Sequence, residues 1–452
     1  METNLIKSFS VYGLFGTHDV HIPFDENIKI LIGENGIGKT QVLNLLYYTL
    51  TKNFFRLSEF NFHRLVLSFS SSLKIELTKE QINEFIKEYY KHPAIEQFIR
   101  EFGYAEFEIL MSRYFDDNKI NRRKLEMDFE FNSKYRKFPA HRIFRVLDEL
   151  EMTKKYSKSD TENALYKCEK QITNEIKKYD IMYFPTFRRV EEDLHNLGYY
   201  DEEELLNQEK NLIQFGMGDV QKKFNQIENK IDKLLKDGLA QFTKDILNVV
   251  IDEDFEEDNS LTEKITTNDI DIILSRVGSL LPNMQKETVR NIVAEKKIKN
   301  PLSKYLLKKL IEIYEKQKEI DTSVKTFRDI CNKYLINKKV FYDESAIKIY
   351  IKSELTNEPI ELRQLSSGEK QIISIFSKIY LSEADKRFIV LFDEPELSLS
   401  IFWQRNLLPD IVNSQKCTFL LAVTHSPFIF ENELDRYAIG LNEYVSITKS
   451  MS

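Results

Sequence analysis

Two stretches far apart in this 452-residue chain carry the residue types that handle phosphate. Gly33-Glu34-Asn35-Gly36-Ile37-Gly38-Lys39-Thr40 satisfies the pattern G-x-x-x-x-G-K-[ST]. Glycines at 33, 36 and 38 let the backbone curl so that its N–H groups, with that of Asn35, point at phosphate oxygens. Lys39 would meet the β- and γ-phosphates, and Thr40 would ligate magnesium. Near the far end, Asp393-Glu394 follows an apolar run. There Asp393 would hold magnesium and Glu394 would polarise an attacking water as general base. His425, in Thr424-His425-Ser426-Pro427, could reach the γ-phosphate or could cap the end of a strand. The stretch Leu365-Ser366-Ser367-Gly368-Glu369-Lys370-Gln371 reads as the other half of the same nucleotide site, or as a Ser/Gly turn capping a helix from Glu369 onward. Both can hold at once.

These residues need elements to position them. The apolar run Ile28, Ile30, Leu31, Ile32 before the glycine loop and Val42, Leu43, Leu45, Leu46 after it predict strand, loop, helix. Phe388–Phe392 and Thr418–Val423 read as buried parallel strands whose carboxyl ends deliver Asp393-Glu394 and His425. Ile181–Arg189 reads as a further strand on the same side, ending at Pro185 and presenting Arg188 and Arg189, which would bind phosphate or pair with Glu191 or Glu192. Alternation at Phe9, Val11, Leu14, Val20, Ile22 and Phe24, and again over residues 60–76, predicts antiparallel strands. A helical pattern covers 79–110. From Asp219 to about Tyr334 the pattern is helical and polar, with an acidic run from Asp252 to Asp258 and no sustained heptads. Strands resume at Val340–Tyr342 and Ile347–Ile351.

Composition excludes several classes. A hydrophobic content of 42% supports a large core, and no run approaches the length of a membrane-spanning helix. The N-terminus lacks a signal-like segment, so a cytoplasmic location is expected. The three cysteines, Cys168, Cys331 and Cys417, are widely spaced, against disulfides or a zinc ribbon. A net charge of −7 gives no global case for nucleic-acid binding. A basic cluster from Arg122 to Arg145, including Arg136, Lys137 and His141, is a solvated face or a surface for a phosphate backbone or an acidic protein.

The order glycine loop, L-S-S-G-E-K-Q, apolar-D-E-P, apolar-T-H-S resembles the ATP-binding-cassette ATPases, in the branch of Rad50, SMC and OLD-type heads. The resemblance covers roughly residues 1–60, 180–220 and 345–452. It implies an α/β P-loop head with an antiparallel β subdomain, discontinuous over 1–218 and 340–452, with a helical lobe inserted at 219–339. It also implies ATP and Mg2+ as ligands and hydrolysis of ATP to ADP and phosphate. Lys39, Thr40, Asp393, Glu394 and His425 would act in cis. Ser366 and Gly368 would complete the site of a second subunit, so head-to-tail dimers within a homo-oligomer are expected. The family's flanking strands make Tyr12, Phe15 and His18 candidates for adenine or ribose contact, or else packing and turn residues. The chain departs from the family in carrying P-T-x-R-R where a glutamine loop is usual, and Ser400 where D-E-P-E-L-S-L is followed by His.

A short helical insertion distinguishes the chain from SMC and Rad50, and the absence of C-x-x-C from Rad50's zinc hook. Only a short stretch follows His425, so a Toprim nuclease fused as in OLD proteins is not expected. The combination resembles the stand-alone ATPase subunits of bacterial anti-phage operons, with the PARIS-type ATPase AriA and the Septu-type ATPase as examples. That implies a separate nuclease effector, Toprim-type (AriB-like) or HNH, and an acidic phage-encoded trigger protein meeting the basic cluster or lysines such as Lys296, Lys297, Lys304, Lys308 and Lys309. The rival reading is a DNA-repair or chromosome-structure ATPase that clamps DNA directly. A transporter subunit fits poorly, because its signature would follow the P-loop within about one domain length.

Overall fold

The computed structural model describes residues 4–33, 36–90, 93–103, 107, 115–116, 119–120, 141–142, 144, 160–185, 217–252, 267–276, 286–287, 290–291 and 301–447. The chain forms two compact units, Met1–Gln214 with Ala384–Ser452, and Phe215–Glu383.

The first unit is built on a five-stranded sheet whose order is β14-β3-β13-β12-β8. Its strands are β3 (Ile28–Ile32), β8 (Tyr179–Phe184), β12 (Arg387–Asp393), β13 (Cys417–Thr424) and β14 (Ala438–Gly440). All four pairings are parallel. Residues 388–393 and 419–424 are buried along their whole length, as expected of central strands covered on both faces. Register then aligns the chemistry. Asp393 pairs with Val423, and Thr424 with Ile32, so β12, β13 and β3 end level and release Glu394, His425 and Gly33 at one edge.

Helix α1 (Lys39–Leu50) packs against β12 and β13. Its Asn44, buried in mid-helix, accepts a hydrogen bond from the Tyr183 hydroxyl of β8 at 2.6 Å, and Tyr47 stacks on the Tyr183 ring at 4.7 Å. These contacts fix the helix, and therefore the loop before it, relative to the sheet.

A second sheet, antiparallel, has the order β15-β2-β1-β4-β5, from β1 (Ile6–Leu14), β2 (His18–Pro23), β4 (Arg64–Phe69), β5 (Lys74–Thr78) and β15 (Val445–Ile447). The expected alternation is realised: Phe9, Val11, Leu14, Val20 and Ile22 are all buried. Phe24 meets Phe419 edge-on at 5.0 Å, joining the two sheets in one core. At the end of β1 the register shifts. A Cβ on Gly13 there would lie 2.5 Å from the His63 ring, so only glycine fits. Helices α2 (Phe54–Glu59), α3 (Lys79–Tyr90), α4 (Pro93–Phe102) and α5 (Asp160–Ile176), with a small ladder of β6 (Phe115–Asp116) and β7 (Lys119–Ile120), also belong to this unit.

The second unit contains α6 (Met217–Asp252), α7 (Thr267–Arg276) and α8 (Pro301–Cys331), a sheet of β9 (Lys338–Asp343), β10 (Lys348–Ser353) and β11 (Pro359–Ile360), and α9 (Ser367–Tyr380). Helix α8 packs on both α6 and α9. Arg276 is buried against Asp321 at 2.8 Å, with Gln317, Tyr342 and the Glu344 carbonyl as its other acceptors. Among the described residues no helix is long and apolar enough to cross a membrane.

Candidate functional site

The glycine loop sits where β3 ends and α1 begins. Gly36 and Gly38 both have φ of +93°, a region that side chains rarely adopt. A Cβ on Gly36 would meet nothing within 4 Å, which leaves open space beside the loop. Gly38 is the N-cap of α1 and brings no side chain to the first-turn amides, so those N–H groups suit an anion.

Lys39, the first helical residue, is 5% exposed. Its Nζ donates to the Gly33 carbonyl at 2.5 Å and lies 2.7 Å from His425 Nε2. An ammonium has no lone pair, so His425 Nε2 accepts and its ring proton resides on Nδ1. Burial lowers the Lys39 pKa, and the negative charges of Glu394, Asp393 and Glu396 oppose that shift. Thr40 Oγ1 donates to Asp393 Oδ1 at 3.0 Å. Those two oxygens are the donor set a hard divalent cation takes.

Glu394 stands at φ +48°, a strained setting for a non-glycine residue. Its backbone N–H donates to the Val423 carbonyl at 2.9 Å, which holds the turn, and its Oε1 lies 3.8 Å from His425 Nε2. Lys39, Thr40, Asp393, Glu394 and His425 therefore converge at one sheet edge, beside Gly33, Gly36 and Gly38. Asn35 lies outside the described residues, as do Arg122–Lys137, Arg145, Arg188 and Arg189, the acidic run 253–258, Lys296 and Lys297.

Ser366 and Gly368 belong to the second unit. Helix α9 begins at Ser367, two residues earlier than the expected cap would place it. Ser366 is the N-cap in a full capping box: its Oγ accepts from Glu369 N, and Glu369 Oε2 accepts from Ser366 N at 2.8 Å. Lys338 Nζ donates to both oxygens of Glu369, at 3.0 and 2.8 Å, and these contacts hold the Glu369 carboxyl below its ordinary pKa despite burial.

Of the three candidates for adenine or ribose contact, Phe15 adjoins the glycine loop at Gly38. Its ring carbon would be 3.0 Å from a Cβ on Gly38, and it is 41% exposed. Tyr12 instead lies under the Arg64 guanidinium at 4.1 Å, and His18 Nδ1 bonds Thr17 Oγ1 at 2.7 Å. Sequence reasoning assigned no role to Glu396, Gln404 or Ser426. Glu396 accepts from the backbone N–H groups of His425 and Ser426, and Gln404 bonds Ser426 as well. The second acidic residue of D-E-P-E was the available signal.

A family model described as AAA ATPase domain matches residues 6–430. The chain belongs to the AAA ATPase domain family. Retron Ec83 probable ATPase from Escherichia coli is 28% identical over 169 residues, covering 29% of this chain. The match spans 30% of that protein's length. Solved structures similar to this AAA ATPase family member include an Smc head bound to the C-terminal winged-helix domain of ScpA, with TM-score 0.33, 9% identity and coverage of 94% of this chain and 90% of that one. Another is the Pyrococcus furiosus Smc head with an extended coiled coil bound to the C-terminal domain of ScpA, with TM-score 0.37, 11% identity and coverage of 94% and 91%. Membership of the ATPase family implies ATP as the nucleotide, and the P-loop lies within the matched span.

Proposed function

We propose that this chain is the ATP-binding and ATP-hydrolysing switch subunit of an anti-phage defence complex, in which ATP-dependent pairing of heads controls a separate nuclease. The observation that carries the reading is the convergence of Lys39, Thr40, Asp393, Glu394 and His425 at the carboxyl edge of the parallel sheet. The similarity to a retron ATPase supports the defence setting.

The residues fit Mg·ATP. Thr40 and Asp393 would supply two oxygen ligands to magnesium, which would neutralise phosphate charge. The Gly36 and Gly38 turns aim backbone N–H groups at phosphate oxygens, as Asn35 would. Lys39 exchanges the Gly33 carbonyl and the His425 ring for phosphate oxygens, which frees His425 Nε2; in the tautomer with the proton on that nitrogen, the ring would donate to a γ-phosphate oxygen. Glu394 orients the attacking water and takes its proton on a carboxylate oxygen. Ser366 and Gly368 of a second subunit complete the site, with Ser366 held in N-cap geometry by Glu369. Hydrolysis is thereby tied to association, and ATP acts as reversible glue within a homo-oligomer of head-to-tail pairs.

The effector proposed is a Toprim-type, AriB-like nuclease on a separate chain. The input is an acidic phage-encoded protein, as in a PARIS-type AriA subunit.

Trans completion is tested by mixing two inactive variants. Lys39→Ala lacks the phosphate cation and Ser366→Arg blocks the signature loop. A head-to-tail pair made from one of each contains one intact composite site. Equal mixing should therefore restore about a quarter of wild-type ATPase activity, since about half of the pairs are mixed and each has one good site of two. No recovery, with mixed pairs demonstrated by differential tags, would overturn the shared site.

A further inference from the structure

We infer that Glu396 is a positioning residue for His425, and that together with Gln404 it clasps the 394–400 loop to the turn after β13. The inference rests on the ATP-hydrolysis reading above and assigns it a residue that the motifs leave without a task.

The geometry is specific. Glu396 Oε1 accepts from two successive backbone N–H groups, His425 at 2.8 Å and Ser426 at 3.1 Å. One oxygen can meet two consecutive amides only if the turn keeps a single backbone conformation, and the bonds are charge-assisted. A second strap runs from α10 (Ile401–Val412). There Gln404 Nε2 donates to the Leu399 carbonyl at 2.9 Å and the Glu396 carbonyl at 3.3 Å, while its Oε1 accepts from Ser426 Oγ at 2.6 Å. Thr424 Oγ1 also accepts from Ser426 N at 3.0 Å. Glu396 and Leu399 of the 394–400 loop are thus tied, directly or through Gln404, to Ser426 beside His425.

The consequence falls on the imidazole. With its backbone fixed, His425 places Nε2 2.7 Å from Lys39 Nζ and 3.8 Å from Glu394 Oε1. Without the clasp the turn can rotate, and a misplacement of about 1 Å costs up to about 100-fold in rate. Glu396 Oε2 is buried without a hydrogen-bond partner. A carboxylate kept at that cost, where an apolar residue would fill the space, is consistent with a task for Oε1. Glu396 touches no reacting atom in this scheme; it acts through the main chain of His425.

A double-mutant cycle with two readouts tests this. In steady-state ATPase assays Glu396→Ala should lower kcat by about 10- to 100-fold with KM little changed. Glu396→Gln, whose amide oxygen can still accept, should recover most of that loss. Introduced into His425→Ala, Glu396→Ala should have no further effect. An undiminished kcat in Glu396→Ala, or a full additional loss in the His425→Ala background, would overturn the inference. Amide hydrogen exchange over residues 424–427 serves as the second readout: faster exchange in Glu396→Ala but not in Glu396→Gln supports the clasp, and unchanged exchange removes it. If the wild-type chain turns over no ATP, the ATPase reading fails by itself, and the exchange measurement still decides the clasp.

Discussion

Lys39 is buried beside three carboxylates and yet directs hydrogen bonds to the Gly33 carbonyl and the His425 ring. A triphosphate would offer stronger, charged acceptors to the same ammonium, so binding exchanges weaker partners for better ones at little reorganisation. Gly38 sets the lysine's starting point. Its φ of +93° strains any side chain, and the Phe15 and Leu14 atoms 3.0 and 3.3 Å from a Cβ position would have to give way to one. Gly38→Ala should destabilise the first unit by about 1–2 kcal/mol, the usual cost of a left-handed non-glycine residue, and weaken ATP binding by about tenfold or more. Thermal unfolding and a fluorescent-nucleotide titration check both; unchanged affinity would show that the loop conformation is not needed.

Among the elements, the second unit offers two tests independent of nucleotide. Helix α7 is held to α8 through the Arg276–Asp321 pair, with side chains only 1% and 2% exposed. Truncating one partner strands the other charge in the interior. Arg276→Ala should therefore cost about 3–5 kcal/mol, while adding Asp321→Leu should return a large part of it. Urea unfolding of the full chain measures this, and a loss below about 1 kcal/mol would contradict the buried-pair account. Helix α9 carries Lys378 near its C-terminal end, where burial outweighs the attraction of Asp219 and lowers its pKa to about 8. The folded chain then releases this proton near pH 8, whereas the unfolded chain keeps it to about 10.5. Between those values the unfolded state binds more protons, so stability should rise with pH. Lys378→Met should unfold at a higher temperature at pH 7 and lose this pH dependence. A wild-type midpoint that falls over pH 8 to 10 while the variant's does not would reverse the sign.

For the whole molecule, the parts legible in the sequence were those with strong local rules. The glycine loop, the two apolar strands ending in Asp393-Glu394 and His425, and the alternation at Phe9–Phe24 each follow from periodicity or loop chemistry, and the structure assembles them as expected. Beyond the second acidic residue of D-E-P-E, nothing local marks Glu396, Gln404 and Ser426, because their meaning depends on β12 and β13 ending level, a tertiary register that no spacing along the chain encodes. Which aromatic faces Gly38 is likewise a tertiary matter: Phe15 does, just beyond the register shift in β1, while Tyr12 lies under Arg64. The Arg276–Asp321 pair spans forty-five positions and was likewise invisible.

The central claim is that the sheet edge forms a hydrolytic ATP site in which Glu394 activates water. Its most direct test is phosphate release from radiolabelled ATP, measured beside retained nucleotide, for the wild type and Glu394→Gln. The account predicts that Glu394→Gln retains ATP in a stable assembly while turnover falls by about 100- to 10,000-fold. Wild-type turnover in Glu394→Gln would contradict it.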